Sequence, residues 1–459
     1  MPTIPHVPGL PYIGSAFVFA ANPLRYMYRQ FDKHGSTFLL TLLGERVYVT
    51  RDPEVFRFAL QTNQREFVKD RGYEALKMVL GEGLVTSEGD FWRKQRRIVQ
   101  PVFYKKSLHQ LYDAMVLETN KYVRELRDRI PNEPVIDVSE EMMGVTANIV
   151  LQTLFSSEHD EDQREMYHLI NDAQHYMVGV VRQPYLHPWR VVSGQRRRFN
   201  DVRRRVDSLI YNLIEERRRS GELKHDLLDL LLHATDETTG GAMSDTQVRD
   251  EAVTLFAAGH ETSANALSWT LYLLSQHPEV VARLREEADR VVGDGEHPDA
   301  TQIRQMPYSA QVIEEGMRLY PPAWALGRRL VEDTTIDGKH YKGDSIFLMS
   351  VHGLHRNPDL WNDPDAFRPE RFSTDAVRMR PKGHYIPFGA GPRMCIGYHF
   401  AMMEMQLLLV QLIRNFDFEL VAEQRVEPQP LIALKPKYGI KMRVRALSLH
   451  HHREAVSER

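Results

Sequence analysis

The chain has 459 residues, of which 42% are hydrophobic and 26% are charged, and its formal net charge is −3 at pH 7. This charge balance gives no reason to expect a nucleic-acid partner. The single cysteine, Cys395, excludes an internal disulfide, so we expect a protein of the reducing cytoplasm.

The N-terminal part contains short strand-like pieces and no predicted transmembrane anchor. Residues 13–20 form an apolar stretch, but it is far shorter than the ~20 residues that span a bilayer. It also lacks the basic start of a signal peptide. Residues 46–50 are one of the strand-like pieces. We predict a β-rich part over about 1–70, a helical part over about 71–449 and a flexible tail over 450–459.

A basic helical segment follows in the region of Trp92. Trp92 and Arg96 are four residues apart, so they share one face of a helix. More basic residues cluster nearby in the sequence: Arg93, Lys94, Arg97, Lys105 and Lys106. Taken alone, such a run is typical of a solvated basic surface.

An unusually long helix is predicted to begin after Ser244. Ser244 and Gln247 have the spacing of a capping box, and Pro278 does not allow the helix to continue much beyond His277. About 30 helical residues have a length of about 45 Å at 1.5 Å per residue. A helix of this length crosses a whole domain.

The middle of this helix carries an acid followed by an alcohol, Glu261 and Thr262. The Thr262 hydroxyl can bond to the carbonyl of Ala258 and open the helical hydrogen-bond ladder at that point. The pattern has two interpretations. The pair is either part of a proton-transfer route, or a buried threonine beside a glutamate that forms a salt bridge.

A third pattern places Glu315 and Arg318 on the same face of another helix, because they are three residues apart. Such a pair is usually a surface ion pair of small energetic value. A second arginine, Arg371, follows in the segment 365–372. The pattern alone therefore assigns no function to these charges.

The single cysteine lies in the segment 388–397, which contains three glycines and precedes an apolar helical run. Glycine reaches positive φ without steric penalty, so the backbone can turn tightly and direct N–H groups at the Cys395 sulfur. The dipole of the following helix also favours a thiolate. A lone cysteine is often a small buried hydrophobe, but these surroundings favour a ligand or a nucleophile.

The segment resembles the proximal haem loop of the cytochrome P450 monooxygenases. It matches the pattern Phe-x-x-Gly-x-Arg-x-Cys-x-Gly at Phe388, Gly391, Arg393, Cys395 and Gly397. This resemblance implies haem b as the cofactor and Cys395 as the axial ligand of its iron. The cofactor-binding residues that it implies are Trp92, Arg96, Arg328, Phe388, Arg393, Cys395 and Gly397, with the arginines and Trp92 at the haem propionates.

The other motifs occur in the order that the family shows. Glu261 and Thr262 resemble the family's acid and alcohol pair, which implies a role in proton delivery for O–O bond cleavage. Glu315, Arg318 and Arg371 resemble the buried triad that braces the haem side of the fold. The resemblance also implies mobile lids over 73–84 and 168–198, and an apolar substrate pocket lined by Phe256, Ala258, Ala323, Trp324 and Ala325.

Residues that must surround one haem are spread from Trp92 to Cys395, and no linker or repeat divides them. We therefore expect a single domain over 1–459. The predicted fold is mostly α (α+β), with the large helical domain and the smaller β-rich region of the cytochrome P450 fold. We expect a monomer.

By resemblance, the predicted function is a monooxygenase that hydroxylates or epoxidises a fatty acid, terpenoid or steroid with dioxygen. The chain ends soon after the haem motifs, so we expect electrons from a ferredoxin and its reductase, or from a flavodoxin-type donor. The basic surface that includes Arg97 and Lys105 is the expected docking site, unless it is simply solvated. The alternatives are a haem-thiolate binding or gas-sensing protein without turnover, and a peroxide-driven peroxygenase.

Two further enzyme classes each fail at one residue. His260 and Glu261 begin a zinc-protease pattern, but Ala264 stands where its second histidine belongs. Gly389 and Gly391 begin a dinucleotide fingerprint, but Met394 replaces its third glycine.

Overall fold

A computed structural model describes most of the chain. The described residues are 3–156, 186–236 and 240–447, with further positions between 165 and 180. The predicted tail over 450–459 and part of the predicted lid over 168–198 lie outside them. The same holds for the side chains of Lys105 and Lys106.

Helices dominate the described residues. In chain order they are α1 Ala16–Ala21, α2 Pro23–His34, α3 Pro53–Arg57, α4 Gly72–Leu80, α5 Gly89–Val99, α6 Lys105–Arg129, α7 Val138–Phe155, α8 His187–Val192, α9 Gln195–Ser220, α10 Leu227–His233, α11 Asp245–Leu274, α12 Pro278–Val292, α13 Pro307–Leu319, α14 Val351–Leu354, α15 Thr374–Met379 and α16 Tyr398–Asn415. The prediction of a mostly helical fold is confirmed. None of these helices, within the described ranges, combines the length and the apolar character needed to cross a bilayer.

The strands are short and form small sheets. They are β1 Thr37–Leu42, β2 Glu45–Thr50, β3 Phe67–Val68, β4 Val135–Asp137, β5 Leu326–Leu330, β6 Thr334–Ile336, β7 Lys339–Tyr341, β8 Ser345–Met349, β9 Phe416–Leu420, β10 Pro428–Pro430, β11 Leu434–Pro436 and β12 Lys441–Ala446. The largest sheet has the order β1-β2-β8-β5-β3, and a second has the order β4-β12-β9. The prediction of a smaller β region is therefore confirmed.

The largest sheet joins the N-terminal part of the chain to a distant segment. Strands β1 and β2 form an antiparallel hairpin, in which Phe38 lies opposite Val49. Strand β2 then pairs in parallel with β8, so that Val49 lies opposite Leu348. Residues almost 300 positions apart thus share one sheet, which fixes the N-terminal segment to the rest of the fold.

Helix α11 is the long helix that the sequence predicts. It spans Asp245–Leu274 and begins at the predicted capping box, where the side chains of Ser244 and Gln247 each accept from the other's backbone N–H. Most of its side chains are buried, including several polar ones. Helices α7, α13 and α16 pack around it. Helix α11 therefore runs through the interior of the fold.

The main core surrounds α11 and α16. The fully buried Trp269 of α11 and Leu407 of α16 belong to this cluster. The Trp269 indole N–H also donates to the Leu434 carbonyl at 3.0 Å, which ties α11 to β11. A smaller cluster beneath the largest sheet contains Tyr48 and Phe347. Trp269 therefore anchors α11 in the main core and to β11.

Candidate active site

A cavity of about 340 Å³ lies between helix α11 and the loop before α16. Most of its wall is apolar, and it brings together predicted residues from distant parts of the sequence. The predicted site residues that line it are Trp92, Arg96, Ala258, Thr262, Ala323, Arg328, Phe388, Arg393, Cys395 and Gly397. The motifs thus converge on one internal space.

Glycines shape the loop that carries Cys395. Gly389 and Gly391 have φ values of 72° and 68°, in the region that L side chains rarely adopt. A Cβ at Gly391 would also lie 1.9 Å from the Leu60 carbonyl oxygen. The Cys395 N–H donates to the Phe388 carbonyl at 2.9 Å and closes the loop. The predicted tight turn is therefore present.

The Cys395 sulfur faces the cavity, and protein surrounds it on the other sides. It is open to a small molecule from the cavity, although it lies deep in the fold. Burial raises the pKa of the thiol, while the Gly397 N–H and the Arg96 charge lower it. Helix α16 begins three residues later, at Tyr398, and its dipole also favours negative charge on the sulfur. A bound cation would complete the stabilisation of a thiolate.

Arginines gather at one end of the cavity. The Arg393 guanidinium lies 3.8 Å from the centre of the Trp92 ring and donates to the Ser87 carbonyl at 2.9 Å. Burial and the neighbouring Arg328 lower the pKa of Arg393 to about 10. Burial also lowers the pKa of Arg96. When buried positive groups have lowered pKa values, an anion bound among them would favour their charged forms, so they form a site for an anion.

Lys69 is a further cation that the sequence motifs do not identify. Its ammonium group donates to the carbonyls of Val85 and Ser87, the latter at 2.9 Å. Burial, with the charges of Arg393 and Arg328, lowers its pKa to about 7. A single lysine after a short strand has no distinctive pattern, so only the tertiary structure identifies it.

The residues present fit a haem. A haem is a flat apolar ring with two carboxylates and an iron that accepts a thiolate ligand. The apolar walls suit the ring, the cationic end suits the two carboxylates, and Cys395 is the only described cavity residue with a thiol. Planar arginine forks bind carboxylates particularly well.

Helix α11 forms another part of the cavity wall. The Thr262 hydroxyl donates to the Ala258 carbonyl at 2.8 Å, as the sequence predicts. Gly259 also lines the cavity, and a Cβ there would lie 3.2 Å from a methyl of Val150. Glu261 does not belong to the described wall. Burial raises the pKa of Glu261, and the Lys435 charge opposes this rise.

Three residues predicted for the substrate pocket do not line this cavity. On α11, Leu255 lines the cavity, and Phe256, one position later, is rotated by about 100° from it. The Phe256 ring stacks on His260 instead, with 4.5 Å between the ring centres. The Trp324 indole N–H donates to the Leu431 carbonyl at 2.9 Å. Ala325 also lies outside the wall, whereas Ala323 and Leu326 belong to it.

Other apolar residues take their place. The sequence motifs do not identify them, because they belong to elements that meet only in the fold. They are Leu84, Val85, Phe103, Val150, Leu227, Leu255, Met317 and Leu326.

Glu315, Arg318 and Arg371 do come together in the fold. Arg318 and Glu315 form a completely buried, bidentate ion pair, with N–O distances of 2.6 and 2.8 Å. The Arg371 Nε lies 3.4 Å from the Glu315 carboxylate. The third Arg318 nitrogen, Nη1, donates to the His355 carbonyl at 2.9 Å. The pair therefore fixes the end of helix α13 to the segment that follows α14.

Comparison with known proteins agrees with this geometry. The family model described as Cytochrome P450 matches residues 5–444. Cyclooctatin synthase of Streptomyces melanosporofaciens is 33% identical over 437 residues, which cover 93% of this chain and 92% of that protein. Pentalenene oxygenase of Streptomyces avermitilis is 30% identical over 442 residues, covering 95% of this chain and 96% of that protein.

A further relative is the cyclooctat-9-en-7-ol 5-monooxygenase of Streptomyces melanosporofaciens. It is 30% identical over 410 residues, which cover 87% of this chain and 86% of that protein. The alignments extend far beyond the cysteine loop and include both the helical body and the sheets. Since the match spans almost the whole chain, the protein belongs to the cytochrome P450 family and is a haem monooxygenase, an oxidoreductase.

Proposed function

We propose that this enzyme binds haem b through the Cys395 thiolate and inserts one atom of dioxygen into an apolar organic substrate. The observation that carries the proposal is that Cys395, from the loop before α16, and Thr262, from helix α11, line the same apolar cavity. A haem held between them supplies the activation of dioxygen. Hydroxylation of a C–H bond and epoxidation of an alkene are both compatible with this arrangement.

The cationic end of the cavity holds the haem carboxylates in this proposal. Arg96, Arg328 and Arg393 supply planar donors, and Lys69 adds a fourth positive charge. Trp92 supports Arg393 through the stacking contact described above. Two carboxylates carry about two negative charges, and these would stabilise the charged forms of Arg96, Arg393 and Lys69, whose pKa values burial lowers.

The loop before α16 orients the thiolate. The Phe388 carbonyl accepts the Cys395 N–H and sets the direction of the loop. The Gly397 N–H lowers the pKa of the thiol and thereby favours its ionised form.

Thr262 holds a proton at the wall where oxygen chemistry takes place, and Glu261 is the acid that resupplies it. Thr262 already donates to the Ala258 carbonyl, so its oxygen is free to accept from a water. Glu261 precedes Thr262 in the sequence but does not line the cavity. The proposal therefore includes either a movement of the Glu261 side chain or a water that connects its carboxyl to the Thr262 hydroxyl. The raised pKa of Glu261 suits a general acid.

We propose a terpenoid as the substrate, in preference to a fatty acid or a steroid. The names of the relatives specify pentalenene and cyclooctat-9-en-7-ol, which are carbocyclic alkenes of the terpenoid class. The apolar wall, including Leu84, Val85 and Leu255, would contact such a ring system over most of its surface.

The proposed electron source is a separate protein, a ferredoxin with its reductase or a flavodoxin-type donor. A second concavity of about 760 Å³ adjoins the cationic end of the cavity, and Arg65, Arg93 and Arg97 lie on its wall. A basic concavity attracts an acidic donor. The proposal includes a cytoplasmic location, because Cys395 has no second cysteine to pair with.

The experiment that tests this function is the absorption spectrum of the reduced protein with carbon monoxide, for wild type and Cys395→Ser. The serine variant is a matched control, because it replaces only the sulfur. We expect a strongly red-shifted carbonyl band in the wild type and its loss in the variant. An unshifted, histidine-like band in both proteins would reject thiolate ligation.

Turnover distinguishes the alternatives. A monooxygenase forms oxygenated product from a terpenoid alkene with dioxygen and a ferredoxin system. Product with peroxide alone, and none with the ferredoxin system, would indicate a peroxygenase. A correct carbonyl band without product under either condition would indicate a binding or sensing protein.

A further inference from the structure

Residues 81–88, which we call the strap, connect helix α4 to helix α5 and form part of the cavity wall. Leu84 and Val85 of the strap line the cavity. The strap consists of turns and irregular backbone between the two helices, and it belongs to neither a helix nor a sheet. Its position therefore depends on contacts that it makes with other elements.

Two adjacent carboxylates of helix α11 hold one side of the strap. Asp250 accepts the backbone N–H of Glu82 at 2.8 Å, and Glu251 accepts that of Leu84 at 3.1 Å. Glu251 is completely buried, with 0% of its surface exposed. Its second carboxyl oxygen has no hydrogen-bond partner among the described residues. Holding Leu84 is thus the one hydrogen-bonding role that the structure gives this carboxyl.

The strap lies very close to the helix. A Cβ at Gly83 would lie 2.2 Å from the Thr254 hydroxyl oxygen, and one at Gly81 would lie 2.2 Å from an Asp250 carboxyl oxygen. Gly81 also has a φ of 60°. Glycine at these two positions is what permits the backbone N–H groups to reach the carboxylates.

The cationic end of the cavity holds the other side of the strap. Lys69 donates to the carbonyls of Val85 and Ser87, and Arg393 donates to that of Ser87 at 2.9 Å. The Gln95 amide donates to the Glu82 carbonyl at 2.9 Å. The strap therefore connects α11 to Lys69 and Arg393, which would hold the cofactor carboxylates.

We propose that Glu251 is a positioning residue: by holding the Leu84 N–H against α11 it fixes the strap as a cavity wall and sets how tightly the cavity binds apolar groups. The proposal deepens the proposed function and rests on it for the identity of the ligand. Removal of the Glu251 carboxyl leaves a buried N–H without a partner, so the strap moves to satisfy it.

The charge state of Glu251 agrees with this role. Burial raises the pKa of its carboxyl to about 8, and the neighbouring Asp250 charge adds to this. The Leu84 N–H and the Lys69 ammonium oppose the rise. The carboxyl is therefore mostly neutral near pH 7, and its carbonyl oxygen is a simple hydrogen-bond acceptor. A glutamine at this position is also neutral and also offers a carbonyl oxygen as a hydrogen-bond acceptor.

The first test is amide hydrogen exchange on the holoenzyme. We expect Glu251→Ala to speed exchange at Glu82 and Leu84 by about ten-fold or more, since one buried hydrogen bond is lost. Glu251→Gln should restore the wild-type rates. The matched control is Glu287→Ala, because Glu287 is also buried and accepts the backbone N–H groups of Tyr308 and Ser309. It should speed exchange only at its own site.

The second test compares two ligands by their shift of the haem absorption band. Imidazole is too small to reach the strap, whereas 1-dodecylimidazole also fills the apolar cavity. Glu251→Ala should weaken 1-dodecylimidazole about ten-fold, leave imidazole unchanged and be rescued by Glu251→Gln. Should the alanine variant fail to fold, Glu251→Met provides the same test, because methionine is similar in size and its thioether is only a weak hydrogen-bond acceptor.

The outcomes separate the two proposals. Unchanged exchange at Leu84, or faster exchange with unchanged 1-dodecylimidazole affinity, would overturn the role of Glu251. Equal weakening by Glu287→Ala would also overturn it, because the effect would then be a general loss of stability. If neither ligand shifts the wild-type spectrum, the proposed function fails, and the exchange rates still decide whether Glu251 holds the strap.

Discussion

Arg97 forms an ion pair with Asp236, with 3.0 Å between the Arg97 Nη2 and the Asp236 Oδ2. Asp236 is completely buried, whereas about half of the Arg97 side chain (52%) is exposed. Asp236 lies beside the short bridge of Thr235 and Ala242 that precedes helix α11. The pair therefore ties helix α5 to the chain that enters α11, a structural role that the basic run in the sequence does not reveal.

The first prediction concerns this pair. Arg97→Glu places a second negative charge beside the buried Asp236 and should lower the free energy of unfolding by about 2 kcal/mol or more. Breaking a fully buried ion pair costs about 3–5 kcal/mol. The loss is smaller here because Arg97 is half exposed and water screens its charge. Urea unfolding measures it. Arg97→Gln should cost less, and an unchanged urea midpoint for Arg97→Glu would contradict the assigned role.

Donor docking is better tested at Arg93. Its guanidinium pairs with the exposed Asp90 and lies on the wall of the basic concavity. Arg93→Glu should slow reduction by an acidic ferredoxin about ten-fold at low salt, and less at high salt, without changing stability. Stopped-flow reduction at two salt concentrations checks this. Arg204→Glu, a reversal at an exposed arginine of α9, should have no effect.

The proposed role of Thr262 predicts uncoupling. Thr262→Ala should leave electron consumption nearly intact but divert most of it from product to hydrogen peroxide, because the hydroxyl that holds a proton at the cavity wall is gone. The ratio of peroxide to product measures it. Ser268→Ala is the control, since Ser268 makes the same bond to the carbonyl four residues earlier, at 2.7 Å, but does not line the cavity. Equal coupling in both variants would remove Thr262 from the proton route.

The buried ion pair predicts an asymmetry between two arginines. Arg318→Lys loses the bidentate contact to Glu315 and the bond to the His355 carbonyl, so it should destabilise the fold by about 3–5 kcal/mol. Arg371→Lys should cost about 1 kcal/mol, because Arg371 lies 3.4 Å from Glu315 and is partly exposed. Urea unfolding of both variants decides it, and equal losses would contradict the assignment.

Sequence patterns predict the parts of this protein whose signals are local. The capping box at Ser244 and the proline at 278 define α11, and the glycines around Cys395 define its loop. The Thr262 bond to Ala258 follows from helix geometry alone. In each case the interacting residues lie within a few positions of one another.

The remaining features depend on contacts between distant residues. Glu251 and Leu84 are 167 positions apart, and no periodicity in either segment indicates that they meet. Lys69 is one of many lysines until the fold brings it to Arg393. The periodicity of α11 shows that Phe256 and Ala258 point in different directions, but only its neighbours decide which one faces the cavity.

The last prediction concerns Glu404, a completely buried carboxyl of α16. Burial raises its pKa to about 8, and the neighbouring Ser263 hydroxyl opposes this only in part. Because the folded pKa lies above the unfolded one, the folded protein keeps a proton that the unfolded chain releases between about pH 4.5 and 8. This group's contribution to stability is therefore complete below that window and falls by up to about 1.4 kcal/mol per pH unit across it.

Glu404→Gln should remove this contribution to the pH dependence. As the pH rises from 5.5 to 7.5, we expect the variant to gain about 2 kcal/mol of stability relative to wild type. Urea unfolding of both proteins at pH 5.5 and at pH 7.5 gives the free energies of unfolding that are compared. Glu251 and Glu314 also have raised pKa values, of about 8 and about 7, but they are common to both proteins and cancel in this difference. Glu222→Gln, at an exposed position, should follow the wild-type curve. Parallel curves for Glu404→Gln and wild type would mean that Glu404 is ionised in the folded protein.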